Sequence, residues 1–182
     1  MSVNQEFLDN LVVRPIGPEI DLQSFCCNDT IDWYLKQEAR RHHTKRVAAV
    51  HCFMHEEVLA GYVTTSMTEV VLDESPLRTL YELTEILFRK GGGHKKRFPA
   101  LLIGMLGVCA QFKRRGLGEQ MVKYAIGQAL GAASAVACRF VVVDSDATDE
   151  AMGLYRKCGF SAPEGQKRTD TVRMLHDLRM RP

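Results

Sequence analysis

The chain has 182 residues, 46% of them hydrophobic and 25% charged, with a net charge of +2 at neutral pH. That length suits one ordinary domain able to bury a core, and the composition excludes the collagen-like, low-complexity and intrinsically disordered classes. The longest apolar run, Phe98 to Ala110, is too short to cross a bilayer as a helix, and so small a net charge names no partner by itself.

In chain order, Met1 to Asn10 reads as a loose lead-in, followed by a first strand around Leu11 to Ile16. Asn28 or Asp29 is placed to cap a helix running to about Arg41, with Ile31, Tyr34, Leu35 and Ala39 as its apolar stripe. Val47 to Met54 and Val58 to Met67 read as two strands joined by a turn at His55-Glu56-Glu57. Leu72 to Arg97 then separates the third and fourth strands. Within it Leu77, Leu80, Tyr81, Leu83, Thr84, Leu87 and Phe88 predict a helix, which Gly91-Gly92-Gly93 ends in a basic loop. The apolar run Leu101 to Val108, preceded by Pro99, predicts the fourth strand. Leu117, Met121, Val122, Ala125, Ile126 and Ala129 recur at helical spacing, with Gly131 as the expected stop. Phe140 to Asp144 is a fifth strand, Asp149 to Lys157 a helix, and Phe160 with Val172 to Leu175 should complete the sheet. Strands alternating with helices predict an α/β (α+β) fold around a mixed sheet, as a single domain over residues 1–182 without internal repeats.

Between the fourth strand and its helix stands Lys113-Arg114-Arg115-Gly116-Leu117-Gly118. A helix N-terminus presents unpaired N–H groups and a partial positive charge, glycines let the backbone approach a phosphate, and three cations add to the attraction. A phosphorylated ligand is expected here. The competing reading is a helix-capping turn with solvated charges.

This loop resembles the Gln/Arg-x-x-Gly-x-Gly/Ala pyrophosphate loop of the GCN5-related N-acetyltransferases (GNAT), with Lys113 where that family usually has Gln or Arg. About 35 residues on, Ala151-Met152-Gly153-Leu154-Tyr155-Arg156-Lys157-Cys158-Gly159-Phe160 resembles the family's A-x-x-[LF]-Y-x-[KR]-x-G-F segment. Phe25 to Ala39 is similar to the F-x-C…W-L…A segment of the aminoacyl-tRNA-acetylating toxins of type II toxin–antitoxin modules, Trp33 or Tyr34 standing at the tryptophan. Gly61-Tyr62 sits where the family often has G-[YF] on its third strand.

The resemblance implies a six- to seven-stranded, mostly antiparallel sheet splayed between strands 4 and 5, flanked by about four helices. It also implies acetyl-coenzyme A as co-substrate, with no metal. The diphosphate would lie on Lys113, Arg114, Arg115, Gly116, Leu117 and Gly118, and the pantetheine arm along the backbone of Leu106, Gly107 and Val108. Ser145 and Thr148 lie near the family's Asn position, but that Asn is absent here. Tyr155 is implied as the general acid that protonates the departing coenzyme A thiolate. The other reading of Tyr155 is a core aromatic between Leu154 and Phe160.

No ionisable side chain lies between Leu101 and Val108, where many family members carry a basic Glu. Glu69, near the end of the third strand, is the substitute candidate or simply a solvated carboxylate. A lysine side chain of pKa about 10.4 is almost wholly protonated at neutral pH, whereas an α-amine near 8 is partly neutral. An enzyme without a dedicated base therefore suits an α-amine, and the acceptor leans to aminoacyl-tRNA. The alternatives are a small-molecule amine, a protein N-terminus, or a non-catalytic coenzyme A-binding module. Twelve of the 24 Lys and Arg fall in three clusters: Arg40, Arg41, Lys45 and Arg46; Arg89, Lys90, Lys95, Lys96 and Arg97; and Lys113 to Arg115. They are candidate RNA contacts or solvated surface. An antitoxin protein and a homodimer are further expected partners, with no membrane. The six cysteines show no disulfide framework, and Cys109 is a poor nucleophile candidate in a family that transfers directly. No histidine has metal-ligand spacing, and a cytoplasmic location is expected.

Overall fold

The computed structural model describes residues 3–72, 96–162 and 170–179. The strands are β1 (Leu11–Pro15), β2 (Ala49–His55), β3 (Val58–Leu72), β4 (Lys96–Val108), β5 (Phe140–Asp146) and β6 (Thr171–Asp177). They follow one another in the sheet in chain order, β1–β2, β2–β3 and β5–β6 pairing antiparallel while β4 and β5 run parallel. Among the described residues five α-helices accompany them, where about four were expected. These are α1 (Val3–Asp9), α2 (Asp29–Gln37), α3 (Ala39–Thr44), α4 (Leu117–Ala133) and α5 (Asp149–Lys157). None of the described helices is long and apolar enough to cross a membrane. The helix expected around Leu77 to Phe88, with its Gly91 to Gly93 stop, lies outside the described residues. The chain divides into two compact units, Met1–Ser66 with Ile103–Ala125 and Met67–Leu102 with Ile126–Pro182.

In the first unit the expected lead-in is instead α1, whose Phe7 is buried. Seven residues are too few to be helical alone, so α1 owes its order to that packing. Asn28 caps α2 as expected, its side chain accepting from Ile31 N–H at 2.9 Å, and the Cys27 N–H donates to Asp32 Oδ1 at 2.8 Å. The single helix expected to Arg41 breaks at Glu38, where φ is −116°, and resumes as α3. Tyr34, Leu35 and Ala39 are buried across that break, while Trp33 stays exposed. Tyr34 is therefore the core aromatic of the pair, stacked 8° from parallel with Tyr62. Tyr62 ties β3 to α2 by donating to the Ile31 carbonyl at 2.8 Å.

Gly107 on β4 is where α2 comes closest. A Cβ there would lie 2.4 Å from Ile31 Cγ2 and 3.2 Å from the Tyr62 ring. Gly61 meets the same demand, since a Cβ would stand 2.8 Å from Met121 Sδ and 3.0 Å from the Gly107 carbonyl oxygen. From α4, Leu117, Met121, Val122 and Ala125 are all buried, the stripe the spacing predicts. The helix runs two residues past the expected stop at Gly131.

In the second unit β4 starts earlier than expected, at Lys96, and takes in Pro99. Proline removes a donor but keeps its acceptor, and the Pro99 carbonyl accepts from Arg139 N–H at 2.8 Å. Phe140, Val141, Val142 and Val143 are all buried, so both faces of β5 are covered. Phe140 and Val142 join Val70, Phe98, Ala100 and Leu175 in one core cluster. Phe160 is not in a strand; its neighbour Ser161 makes an isolated bridge to Leu175. Arg139 donates to Asp177 Oδ2 at 2.7 Å, the carboxylate side chain only 2% exposed and that of Arg139 16%.

Two outcomes follow for stability. Asp177→Ala leaves Arg139 largely buried without its counter-charge and should cost about 3 kcal/mol, the low end for a broken buried pair because Arg139 keeps an exposed edge. Equilibrium urea unfolding reads that loss. Gly107→Ala should cost about 1–3 kcal/mol by overpacking against Ile31. Ile31→Ala in the same chain should recover most of it, measured by the same titration.

Candidate active site

β4 ends at Val108 and passes through a 3-10 turn, Ala110–Phe112, directly to Lys113. Cys109 N–H donates to the Ala60 carbonyl at 2.8 Å, and Met105 N–H to Thr64 Oγ1 at 2.8 Å. Both bonds face β3. Peptide groups alternate along a strand, so the N–H and C=O of Leu106 and Val108 turn to the opposite side of β4. The Val108 N–H meets the half-buried Cys27 thiol, which burial pushes up in pKa while Lys113 and that N–H pull it down. The Ala110 N–H closes the same corner on the Cys26 carbonyl at 2.7 Å.

The loop at 113–118 is built by two left-handed residues, Arg114 at φ 62° and Gly116 at φ 86°. Gly116 adopts that conformation without strain, whereas Arg114 bears a cost of about 1 kcal/mol for it. Lys113 and Arg114 are exposed and Arg115 is half-buried. The Arg115 guanidinium lies over the rings of Phe7 and Phe112, 5.2 and 5.8 Å from their centroids, and the two rings stack at 5.5 Å. Leu117 anchors the start of α4 in the core, with Gly118 half-buried behind it. The Gln120 N–H donates to the Gly116 carbonyl at 3.2 Å, so the N–H groups before it have no acceptor within the helix. Glu119 in that first turn is paired with Lys123 at 2.7 Å. The result is a turn of main-chain donors with positive charge around it, an arrangement whose electrostatics suit an anion.

Tyr155 is 7% exposed on α5, its ring edge-on to Phe160 at 5.6 Å. Burial first, then Asp146 and Cys158, hold its phenol above the ordinary tyrosine range. Among the described residues its hydroxyl has no hydrogen-bond partner. Ser145 is buried and donates to the Asp146 carbonyl at 3.0 Å, while Thr148 Oγ1 caps α5 by accepting from Ala151 N–H at 3.3 Å. Both hydroxyls are already engaged in the fold.

Glu69 lies within β3 and is ion-paired with Arg97 on its exposed face. Cys109 is buried. The basic clusters prove unequal. All four members of the first cluster are exposed, but Arg40 donates to the carbonyls of Gly17, Pro18 and Ile20, and Arg41 is paired with Glu38. In the second, Arg89, Lys90 and Lys95 lie outside the described residues. Among the described residues no group of three or more His, Cys, Asp or Glu is arranged to hold a metal ion. Three residues at the loop carried no sequence signal: Phe7 in an aperiodic stretch, Cys27, and Phe112, whose one hint is adjacency to Lys113.

The sequence matches the Acetyltransferase (GNAT) family over residues 19–160. No curated protein sequence matches the chain. Solved structures share the fold at low identity. A tyrosine-to-phenylalanine mutant of the AtaT toxin has a TM-score of 0.76 at 17% identity, covering 94% of this chain and 91% of that one. AtaT complexed with acetyl-methionyl-tRNAfMet has a TM-score of 0.74 at 17% identity, covering 93% and 95%. The mutant toxin bound to the C-terminus of the antitoxin AtaR and acetyl-CoA has a TM-score of 0.70 at 17% identity, covering 94% and 95%. The family match takes in most of the chain, including the loop at 113–118 and Tyr155, and this protein belongs to the acetyltransferase (GNAT) family.

Proposed function

We propose that the protein transfers an acetyl group from acetyl-coenzyme A directly to a primary amine, and that its acceptor is the α-amine of an aminoacyl-tRNA. The observation that carries the first half is the loop at 113–118, where a left-handed turn leads straight into the unpaired N–H groups of α4 with Lys113 and Arg114 exposed. A diphosphate is the ligand such a turn fits. The backbone groups of Leu106 and Val108, turned away from β3, are the proposed partners of the pantetheine amides, the Val108 N–H exchanging the Cys27 thiol for them. Gly107 keeps that strand free of a side chain. Ser145 and Thr148 contribute through the backbone they brace, since their hydroxyls are engaged. The family match runs through segments of both units, which supports reading residues 1–182 as one acetyltransferase domain.

In the reaction the amine nitrogen attacks the thioester carbonyl, a C–N bond forms, and the C–S bond breaks with its electron pair going to sulfur. Tyr155 donates its proton to that sulfur. A phenol held above its ordinary pKa stays protonated throughout the neutral range, which a donor requires. The raised pKa makes the phenol a weaker acid, so the proton passes only as negative charge develops on the sulfur.

The acceptor half rests on three supports: the absence of an ionisable group from residue 101 to 108, the Phe25 to Ala39 segment, and the likeness in fold to a toxin complexed with acetyl-methionyl-tRNAfMet. An antitoxin partner is proposed on the fold shared with AtaT, whose complex includes the C-terminus of AtaR. Charged tRNA and acetyl-coenzyme A meet in the cytoplasm, the compartment this reading assigns. One observation favours a second acceptor class, a small-molecule amine or a protein N-terminus: the Arg40 side chain is tied to carbonyls and Arg41 to Glu38, so both are less free to meet RNA than their clustering implies.

Labelled acetyl-coenzyme A with bulk charged tRNA, followed by mass analysis of the released aminoacyl groups, decides between them. N-acetyl-aminoacyl product supports the tRNA reading; transfer to free amines alone supports the second. Tyr155→Phe should lower kcat by about 100-fold or more while leaving acetyl-coenzyme A affinity in calorimetry within about twofold. The pH dependence has a defined sign. Because the folded-state phenol is raised, it keeps its proton as pH climbs, and kcat/KM should rise with acceptor deprotonation near pH 8 and show no descending limb to about pH 9.5. A fall below pH 9 would remove Tyr155 as the proton donor.

A further inference from the structure

Of the three cations in the loop, Arg115 alone is seated, and half of its seat comes from the opposite end of the first unit's chain. Phe7 on α1 and Phe112 before the loop stack on each other, and both lie beneath the guanidinium. Phe7 is itself fixed: it is 3% exposed and packs against His55 at 4.9 Å. The next residue, Leu8, places Cδ1 3.5 Å from where a Gly116 Cβ would stand. So α1 touches the loop at two consecutive positions, 115 and 116.

We propose that Phe7 is a positioning residue for the coenzyme A diphosphate, acting through Arg115; this rests on the acetyl-coenzyme A reading above. A guanidinium held over a ring by its charge does not use up its N–H groups as an ion pair with a carboxylate would. Among the described residues those N–H groups have no ion pair or hydrogen bond. An arginine on a solvated loop loses much rotamer freedom when it binds an anion, and a stacked one has already lost it. The N-terminal helix therefore belongs to the nucleotide site, although none of its residues carries a charge to the ligand. A ring present only to fill the core would not need to lie under a cation.

The test compares two thioesters, acetyl-coenzyme A and S-acetyl-pantetheine, which lacks the diphosphate. Phe7→Leu keeps an apolar residue and removes the ring. It should raise KM for acetyl-coenzyme A about three- to tenfold, with kcat little changed and S-acetyl-pantetheine kinetics unaffected. In an Arg115→Met background, Phe7→Leu should add nothing further. If Phe7→Leu folds poorly, pentafluorophenylalanine at position 7 keeps the shape and abolishes the attraction for cations, and the same selective rise in KM is expected. An unchanged KM, an equal rise for both thioesters, or an equal rise without Arg115 would each overturn the proposal. Wild-type protein that binds acetyl-coenzyme A while the variants behave so leaves the activity reading standing; wild-type protein that does not bind it removes both.

Discussion

The left-handed turn at Arg114 and Gly116 is the constraint on which the first unit depends. It is the point where an extended chain becomes a helix without room for ordinary capping, and it leaves the first N–H groups of α4 open. A serine or aspartate cap would have closed that helix and occupied the donors an anion needs. Instead the start of α4 is held from behind, by Leu117 and Met121 buried against β3 at Gly61. Two glycines, 61 and 107, let α4 close on β3 and α2 close on β4. The same closeness makes both positions intolerant of a side chain.

Unpartnered charge in the basic clusters is less plentiful than counting implies. Arg40 is held by nearby carbonyls, while Arg41 and Arg97 are paired with Glu38 and Glu69. Lys113 and Arg114 remain exposed, and Arg115 is oriented by aromatic faces instead of by a carboxylate. That choice matters electrostatically: a carboxylate partner would cancel the field that attracts a phosphate, whereas a ring orients the cation and leaves its charge intact.

Tyr155 joins an observed packing role to the chemistry proposed for it. Its ring belongs to the core of the second unit, edge-on to Phe160, and burial raises its pKa. A general base would be spoiled by such a shift. A proton donor to a thiolate is kept ready by it. The observed core packing is therefore compatible with the general-acid role proposed above, and the two readings posed by the helical pattern do not exclude each other.

Sequence alone was enough for every feature that depends on local order. The strands around residues 101–108 and 140–144, the α4 stripe, the Asn28 cap, the glycine-bearing cationic loop and the segment around Tyr155 are all written in neighbouring residues, because helical spacing, apolar runs and backbone freedom are short-range properties. Tertiary structure alone decided the rest. It made a helix of residues 3–9, buried Tyr34 in preference to Trp33, broke the first long helix at Glu38 and set Phe7 beneath Arg115. The burial of Phe7 and Tyr34 and the seat of Arg115 each depend on a partner far along the chain, 108 residues away in the last case. Burial, a charge already neutralised and a cation seated on a ring have no periodicity to read; they exist only once distant segments have been folded against one another.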